Sequence, residues 1–298
     1  MKKILITGGT VFVSRFAADY FREKYDVYVL NRNTRPQVPG VHLIEGDRHA
    51  LGNVLKEYIF DAVLDITAYD GHDVSDLLDA LGGFKDYILI SSSAVYPEWE
   101  SLPFAETCSI GPNAIWGKYG TNKIDAETVL HRRVPTAYIL RPPYLYGPGN
   151  NVYREAFCFD CAGENRRFYL PEDGAMPLQF YHVEDLCRFM ELLLSEKPEQ
   201  RIYNVGNPET VTIREWVELC YGITGGKAEF VSVSGNVEQR NYFPFYNYAY
   251  YLDVKRHHAL MPETKPLEEG LREAWQWYRN NEELVLKKPL ITYIQEYF

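Results

Sequence analysis

Apolar residues recur along this chain in two alternating rhythms. Ile4-Leu5-Ile6 is an unbroken apolar run. Val13, Phe16, Ala17, Tyr20 and Phe21 then fall at the i, i+3, i+4, i+7, i+8 spacing of one helix face. Asp26-Val27-Tyr28-Val29-Leu30 reads as a second strand, Val41 to Ile44 as a third, Phe60 to Ile66 as a fourth and Tyr87 to Ser91 as a fifth. Leu51, Val54, Leu55 and Tyr58 predict a helix between the third and fourth strands. Val74, Leu77, Leu78 and Leu81 predict another before the fifth. Strands apolar along nearly their whole length, separated by helical stripes, predict an α/β fold with a doubly wound parallel sheet covered on both faces. Such sheets bind ligands at the carboxyl ends of their strands. Those ends carry Gly8, Gly9, Asn31, Asp47, Ile66-Thr67-Ala68 and Ser91-Ser92-Ser93.

The first strand runs straight into Thr7-Gly8-Gly9-Thr10-Val11-Phe12-Val13-Ser14. Strand, glycine turn and helix make a site for a pyrophosphate, held by backbone N–H groups and the helix N-terminus. The dinucleotide fingerprint asks for three glycines. Gly8 takes the first place, but Val11 stands at the second and Ser14 at the third. This predicts a cofactor held by fewer close backbone contacts. The second strand ends at Asn31-Arg32-Asn33, where a carboxylate would take the ribose hydroxyls of NAD. A neutral Asn31 beside a cationic Arg32, with Arg35 in the same loop, leans toward the 2′-phosphate of NADP. A solvated loop arginine is the competing reading.

Composition narrows the classes. The net charge of −10 over 298 residues counts against a generic nucleic-acid binder. No apolar run spans a bilayer, and Met1-Lys2-Lys3 leads into a strand rather than a signal segment, so a cytoplasmic protein is expected. Cys108, Cys158, Cys161, Cys187 and Cys220 are scattered and odd in number, unlike a disulfide framework. Cys158 and Cys161 form a C-x-x-C, but zinc needs a second pair and no metal is expected. The surrounding Ala156-Phe157-Cys158-Phe159 reads as a buried helix.

Chemistry gathers at the fifth strand and the helix after it. Ser91-Ser92-Ser93 offers three hydroxyls at a strand's carboxyl end. Farther on come Tyr119 and Lys123, four apart and therefore on one helix face. A lysine cation beside a phenol favours the phenolate, which can exchange a proton with an alcohol while a hydride leaves or joins the same carbon. The spacing alone is weak, since Tyr20/Lys24 and Tyr251/Lys255 share it. Only Tyr119 follows a hydroxyl-bearing strand end.

Together with Thr7 to Thr10, Ala94-Val95-Tyr96, Leu140-Arg141-Pro142-Pro143-Tyr144-Leu145-Tyr146-Gly147-Pro148, His182-Val183-Glu184-Asp185-Leu186, Tyr203-Asn204-Val205-Gly206 and Pro266 to Leu271, these residues resemble an extended short-chain dehydrogenase/reductase of the NAD-dependent epimerase/dehydratase family. The resemblance covers nearly the whole chain. It implies a Rossmann NAD(P)-binding domain over 1–165, with 181–206 returning to it. A smaller α/β substrate domain over most of 166–298 would close on the ligand. It makes Ser92, Tyr119 and Lys123 the catalytic set. Cofactor contacts carry over to Gly8, Gly9, Thr10, Val11, Phe12, Val13, Asn31, Arg32, Asp47, Arg48, Ile66, Thr67, Ala68, Ser91, Pro143 and Tyr144, besides Tyr119 and Lys123. Ser93, Tyr144 and Arg240 would meet the substrate. The implied activity is hydride transfer at a sugar carbon of a nucleotide sugar, in a homodimer formed through the helices bearing Leu77 and Tyr119.

The departures bear on substrate. Relatives often place an Asn at Tyr144 and an Arg at Leu178, so one diphosphate-binding cation is missing. Acidic residues that mark dehydratases are replaced by Ser93 and Ala94, which puts dehydration behind epimerisation and reduction. The ring-rich segment Tyr242 to Tyr251 is expected mainly to pack, with one or two tyrosines reaching a pocket. The Gly-Gly-Thr-x-Phe turn also resembles that of chloroplast RNA-binding members, and a catalytically idle NAD(P)-sensing regulator is a third reading.

Overall fold

Seven of the apolar runs align as one parallel sheet in the computed structural model, which describes residues 1–298. In chain order the first elements are β1 (Lys3–Thr7), α1 (Phe12–Phe21), β2 (Asp26–Asn31), β3 (His42–Glu45), β4 (Ile59–Asp65), α2 (Gly71–Ala80) and β5 (Gly83–Ile90). Then follow α3 (Lys118–Arg133), β6 (Tyr138–Arg141), β7 (Tyr144–Tyr146), α4 (Glu155–Gly163), β8 (Phe168–Pro171), β9 (Pro177–Leu178) and β10 (Phe180–His182). The last are α5 (Val183–Glu196), β11 (Ile202–Asn204), β12 (Val211–Thr212), α6 (Ile213–Thr224), β13 (Phe230–Val233), α7 (Lys255–Leu260), α8 (Leu267–Tyr278) and α9 (Leu290–Tyr297). The large sheet runs β11-β6-β5-β4-β1-β2-β3. The order reverses between β1 and β4, and that switch point is where an open α/β sheet leaves a crevice for a ligand.

Strand alternation divides the interior. Ile4 and Ile6 pack with Ala17, Phe21, Leu186 and Leu193 under α1 and α5. Leu5 points the other way and packs with Leu55, Leu77 and Leu130 under α2 and α3. A third, larger core holds α4, α6 and α8 with the aromatic segment, including Trp216, Phe243, Phe245 and Tyr250. Each fully buried Leu, Ile or Phe contributes roughly 1.5–3 kcal/mol. Residues 155–163 pack in this third core, so the chain leaves the large sheet's layers before residue 155 and re-enters them from 181 to 206. No helix is long and apolar enough to cross a membrane.

One predicted helix does not form. Residues 51–58 are a string of turns after a short 3-10 turn at Arg48–Ala50. Gly52 sits at φ +52°, outside the helical region, and breaks the run. Leu51 and Leu55 are nonetheless buried, so the apolar pattern reported burial correctly and shape wrongly.

Candidate active site

The glycine turn has the conformation its sequence demands. Gly8 and Gly9 lie at φ +89° and +88°. A Cβ on Gly9 would stand 2.5 Å from Val29 Cγ1, and one on Gly8 would stand 2.8 Å from Ser14 Oγ. Ser14 takes the third glycine place by burying its side chain and donating to the Val11 carbonyl at 2.9 Å. The N-cap of α1, Val11, supplies no side-chain bond, and no acidic residue occupies its first turn. The helix therefore presents its N–H groups to an anion. Thr7, Gly8, Thr10, Val11, Asn31, Arg32, Arg35, Asp47, Arg48 and Thr67 line a cleft of about 420 Å³ beside this turn. These features fit the adenosine and pyrophosphate of a dinucleotide.

The floor of the cleft is a buried network. Thr7 Oγ1 donates to Asp65 at 2.9 Å and accepts from the N–H groups of Ile66 and Thr67. Arg48 pairs with the same carboxylate, and Tyr87 donates to its other oxygen at 2.6 Å. Asn31 is committed to the loop. Its amide donates to the Gly8 carbonyl at 2.7 Å and its oxygen accepts from the Asn33 N–H. Arg32 and Arg35 form no ion pair or side-chain hydrogen bond and line the same cleft.

At the carboxyl end of β5, Ser92 caps a short turn, its Oγ accepting from the Ala94 N–H at 3.2 Å. Tyr119, in the first turn of α3, is 41% exposed, and its hydroxyl faces Ser92. Desolvation of the hydroxyl raises its pKa above the ordinary tyrosine value, while Ser92 and Arg154 act to lower it. Lys123 is buried one turn on. Its Nζ donates to the carbonyls of Ala68 at 2.6 Å and Ile90 at 3.0 Å, and lies 6.0 Å from the Tyr119 ring centroid. Desolvation lowers its pKa to about 8, against the opposing pull of Asp65, Glu127 and Asp73. An ammonium has three donors, so one remains for a ligand. Ser91 is not part of this group. Its hydroxyl turns inward to Glu127, which also holds Arg141 at 2.6 and 2.9 Å. Buried and bonded to Glu127, the Ser91 hydroxyl is committed to the core and not to a ligand in the cleft, contrary to the cofactor contact expected of it.

A second group of side chains gathers around Tyr144. Tyr144 is buried against Phe245 and Tyr250, and Ser93 lies against Tyr250. Burial pushes the Tyr144 hydroxyl up to about 12, with Arg154 and Arg240 opposing. Pro143 packs beside Gly206. Arg154 stacks over Tyr144 at 4.9 Å, and Arg240 over Tyr246 at 4.6 Å. Burial lowers the pKa of both Arg240 and Lys288, and Arg154 adds to each shift by repulsion. Arg154, Arg240 and Lys288 have no carboxylate within ion-pair distance, in a chain with ten more acidic than basic charges. The sequence reading found Arg240 and missed Arg154 and Lys288. Neither sits in a motif that announces a ligand; only the folded chain brings positions so distant in sequence together. Of the aromatic segment, Tyr242, Phe243, Phe245 and Tyr250 are buried, while Tyr246 stays exposed beside Trp116.

The sequence profile of the NAD dependent epimerase/dehydratase family matches residues 4–206. The chain belongs to that family. Among its relatives, it is 30% identical over 303 residues to the chloroplast stem-loop binding protein of 41 kDa b of Arabidopsis thaliana, covering 92% of this chain and 78% of that one. It is 24% identical over 274 residues to the UDP-glucose 4-epimerase of Corynebacterium glutamicum, covering 75% and 80% of the two chains. A solved epimerase from Methanothermobacter thermautotrophicus superposes with a TM-score of 0.78 at 20% identity, over 95% of this chain and 94% of that one. The UDP-glucose 4-epimerase of Thermotoga maritima, solved with UDP-glucose, gives 0.76 at 19% identity over 94% and 99%. These structures share the Rossmann sheet of the epimerase/dehydratase family. This epimerase/dehydratase-family chain opens its cleft at β1 and β4, with Ser92, Tyr119 and Lys123 near the carboxyl ends of β4 and β5.

Proposed function

We propose that this chain is an NAD(P)-dependent enzyme that epimerises or reduces a nucleotide sugar by hydride transfer at a sugar carbon. One observation carries the reading: Tyr119 and Lys123 share the face of α3 that meets the carboxyl ends of β4 and β5, where Ser92 stands and the nucleotide cleft opens. Bound at the first cleft, a nicotinamide supplies the hydride acceptor or donor. Tyr119 then takes or returns the proton of the sugar hydroxyl, and Ser92 donates a hydrogen bond to the same oxygen. The Lys123 cation, fixed by two carbonyls, favours the phenolate. Arg240 and Lys288 suit the diphosphate. Ser93 and Ala94 offer no acid for dehydration. Arg32 and Arg35, free of partners, favour NADP over NAD. We assign residues 1–154 and 181–206 to the cofactor and most of the remainder to the substrate, since α4 packs in the third core, whereas the sequence boundary at 165 put it with the large sheet.

Tyr119→Phe tests the chemistry. The variant should bind cofactor as the parent does and lose about 10²-fold or more in turnover of a UDP- or GDP-sugar. Titrating NAD and NADP in parallel should give the smaller dissociation constant for NADP. Full turnover by the variant would remove Tyr119 from the mechanism.

RNA binding is a second reading, favoured by the 30% identity to a stem-loop binding protein. The net charge of −10 opposes it, and a pure binder has no use for an open Tyr119 beside Ser92. Tight, steeply salt-dependent binding of an RNA stem-loop without turnover of any sugar nucleotide would make it the better account.

A further inference from the structure

A second cavity adjoins the phosphate turn. The nucleotide cleft lies over the strand ends, at Thr7, Gly8, Asp47 and Thr67. The second cavity, of about 290 Å³, opens toward the end of α8, where Trp277, Asn281 and Leu284 wall it. The two share Thr10, Val11 and Arg35 and nothing else. A dinucleotide laid along the strand ends does not fill this space. Its volume lies near the lower end of small-molecule sites and suits one nucleotide, not two.

Its lining sets flat rings beside cations. Trp116, Trp216 and Trp275 each pack against another ring. Phe12 and Trp277 pair with none, and both border the cavity. Phe12 holds φ +37°, a left-handed conformation of the kind that clusters at ligand sites. Arg15 and Arg35 stand at the same cavity and no carboxylate does, in a chain with ten more acidic than basic charges. Arg15 spends one N–H on the Pro36 carbonyl at 3.2 Å, and the Arg35 guanidinium spends none. The Asn281 amide donates to the Trp277 carbonyl at 2.8 Å and keeps its oxygen for another donor. Rings receive a base, guanidiniums a phosphate, and an amide oxygen the N–H edge of a base.

We propose that this cavity binds a nucleoside monophosphate as a second ligand, its phosphate met by Arg15 and Arg35 and its base by Trp277 and Phe12. The site stands apart from the nucleotide-sugar reading; only its coupling to the cleft rests on the dinucleotide. Arg35 lines both spaces, so the monophosphate and the 2′-phosphate of NADP draw on one guanidinium. NAD lacks that phosphate and leaves Arg35 free. The two ligands therefore weaken each other when the dinucleotide is NADP, and by the same factor in either direction.

The test is calorimetric titration of the intact chain saturated with NAD, which occupies the cleft and leaves the second cavity open. AMP, GMP, CMP and UMP are the titrants, with their nucleosides and ribose 5-phosphate as references. At least one monophosphate should bind as a single equivalent, about tenfold or more tighter than its nucleoside and than ribose 5-phosphate. Saturation with NADP instead should weaken that binding about threefold or more. Trp277→Ala and Arg15→Met, the latter at an exposed position, should each weaken it about tenfold and leave NAD affinity within about threefold. Failure of every monophosphate to bind beside NAD overturns the site, as does binding that neither variant alters. Equal binding beside NAD and NADP overturns the sharing of Arg35. Should the chain bind neither dinucleotide, that reading falls, and the same titrations of the unliganded parent and Arg15→Met decide the cavity: weaker binding by the variant supports it, equal binding overturns it.

Discussion

Val11 shows how much one side chain sets at the phosphate turn. It is extended, at φ −136° and ψ 137°, and the next residue, Phe12, is forced to φ +37°. A left-handed conformation costs an L-residue about 1–3 kcal/mol, so the turn is strained where the dinucleotide fingerprint has a glycine just before it. Val11→Gly should free the turn to relax and let a ligand's pyrophosphate come nearer the backbone. The expected result is a severalfold smaller dissociation constant for NAD or NADP, read by titration. Gly8 and Gly9 were legible because their roles follow from residue type. Phe12 was not, since nothing about a phenylalanine signals a left-handed backbone. Arg154 and Lys288 were equally silent, because an unpaired cation is defined by neighbours that only folding supplies.

At the scale of elements, α3 binds chemistry to framework. Tyr119, Lys123 and Glu127 recur every four residues and descend one face from the open cleft to the core. Glu127 is 4% exposed and holds both Arg141 and Ser91. Arg141 in turn donates to Tyr96, and Tyr96 to Asn204 at 2.7 Å. The network ties α3 to β5, β6 and β11. Removing one member of a buried pair strands the other charge, so Glu127→Ala should cost about 3–5 kcal/mol, seen as a lower denaturant midpoint. Cofactor affinity per folded molecule should change far less. The sequence marked the face of α3 but not its depth. The apolar pattern identified α1 and α2, each with one buried face, and β1 to β5, whose strands are buried on both, but not β6. It failed at residues 51–58, where leucines are buried without a helix. It also said little about β7 to β13, whose two to four residues are too few to show a period.

Across the whole molecule, acid should be the weak condition. His182 and His257 are fully buried, and desolvation lowers both pKa values to about 3. The repulsion of Lys265 adds to the first shift, and that of His258 to the second. Unfolded, each would take up a proton near pH 6.5; folded, only near 3. The unfolded chain therefore gains protons first, and the contribution of these histidines is complete above pH 6.5 and is lost as pH falls toward 3, by an order of 4 kcal/mol each. Urea midpoints across that window should fall steadily, and His257→Gln should flatten the slope. Much of the fold was readable from the chain, but the joining of its layers was not, because the path crosses between them more than once.

The two halves of the proposed proton-handling pair answer to different pressures. Lys123 staples α3 to the ends of β4 and β5 through two carbonyls, so a lineage that abandoned turnover would still need it to fold. Tyr119, open and touching little beyond Ser92, gives the framework almost nothing in return for being there. In any descendant of this gene, drift at Tyr119 would date the end of the chemistry, while Lys123 would go on standing long after it.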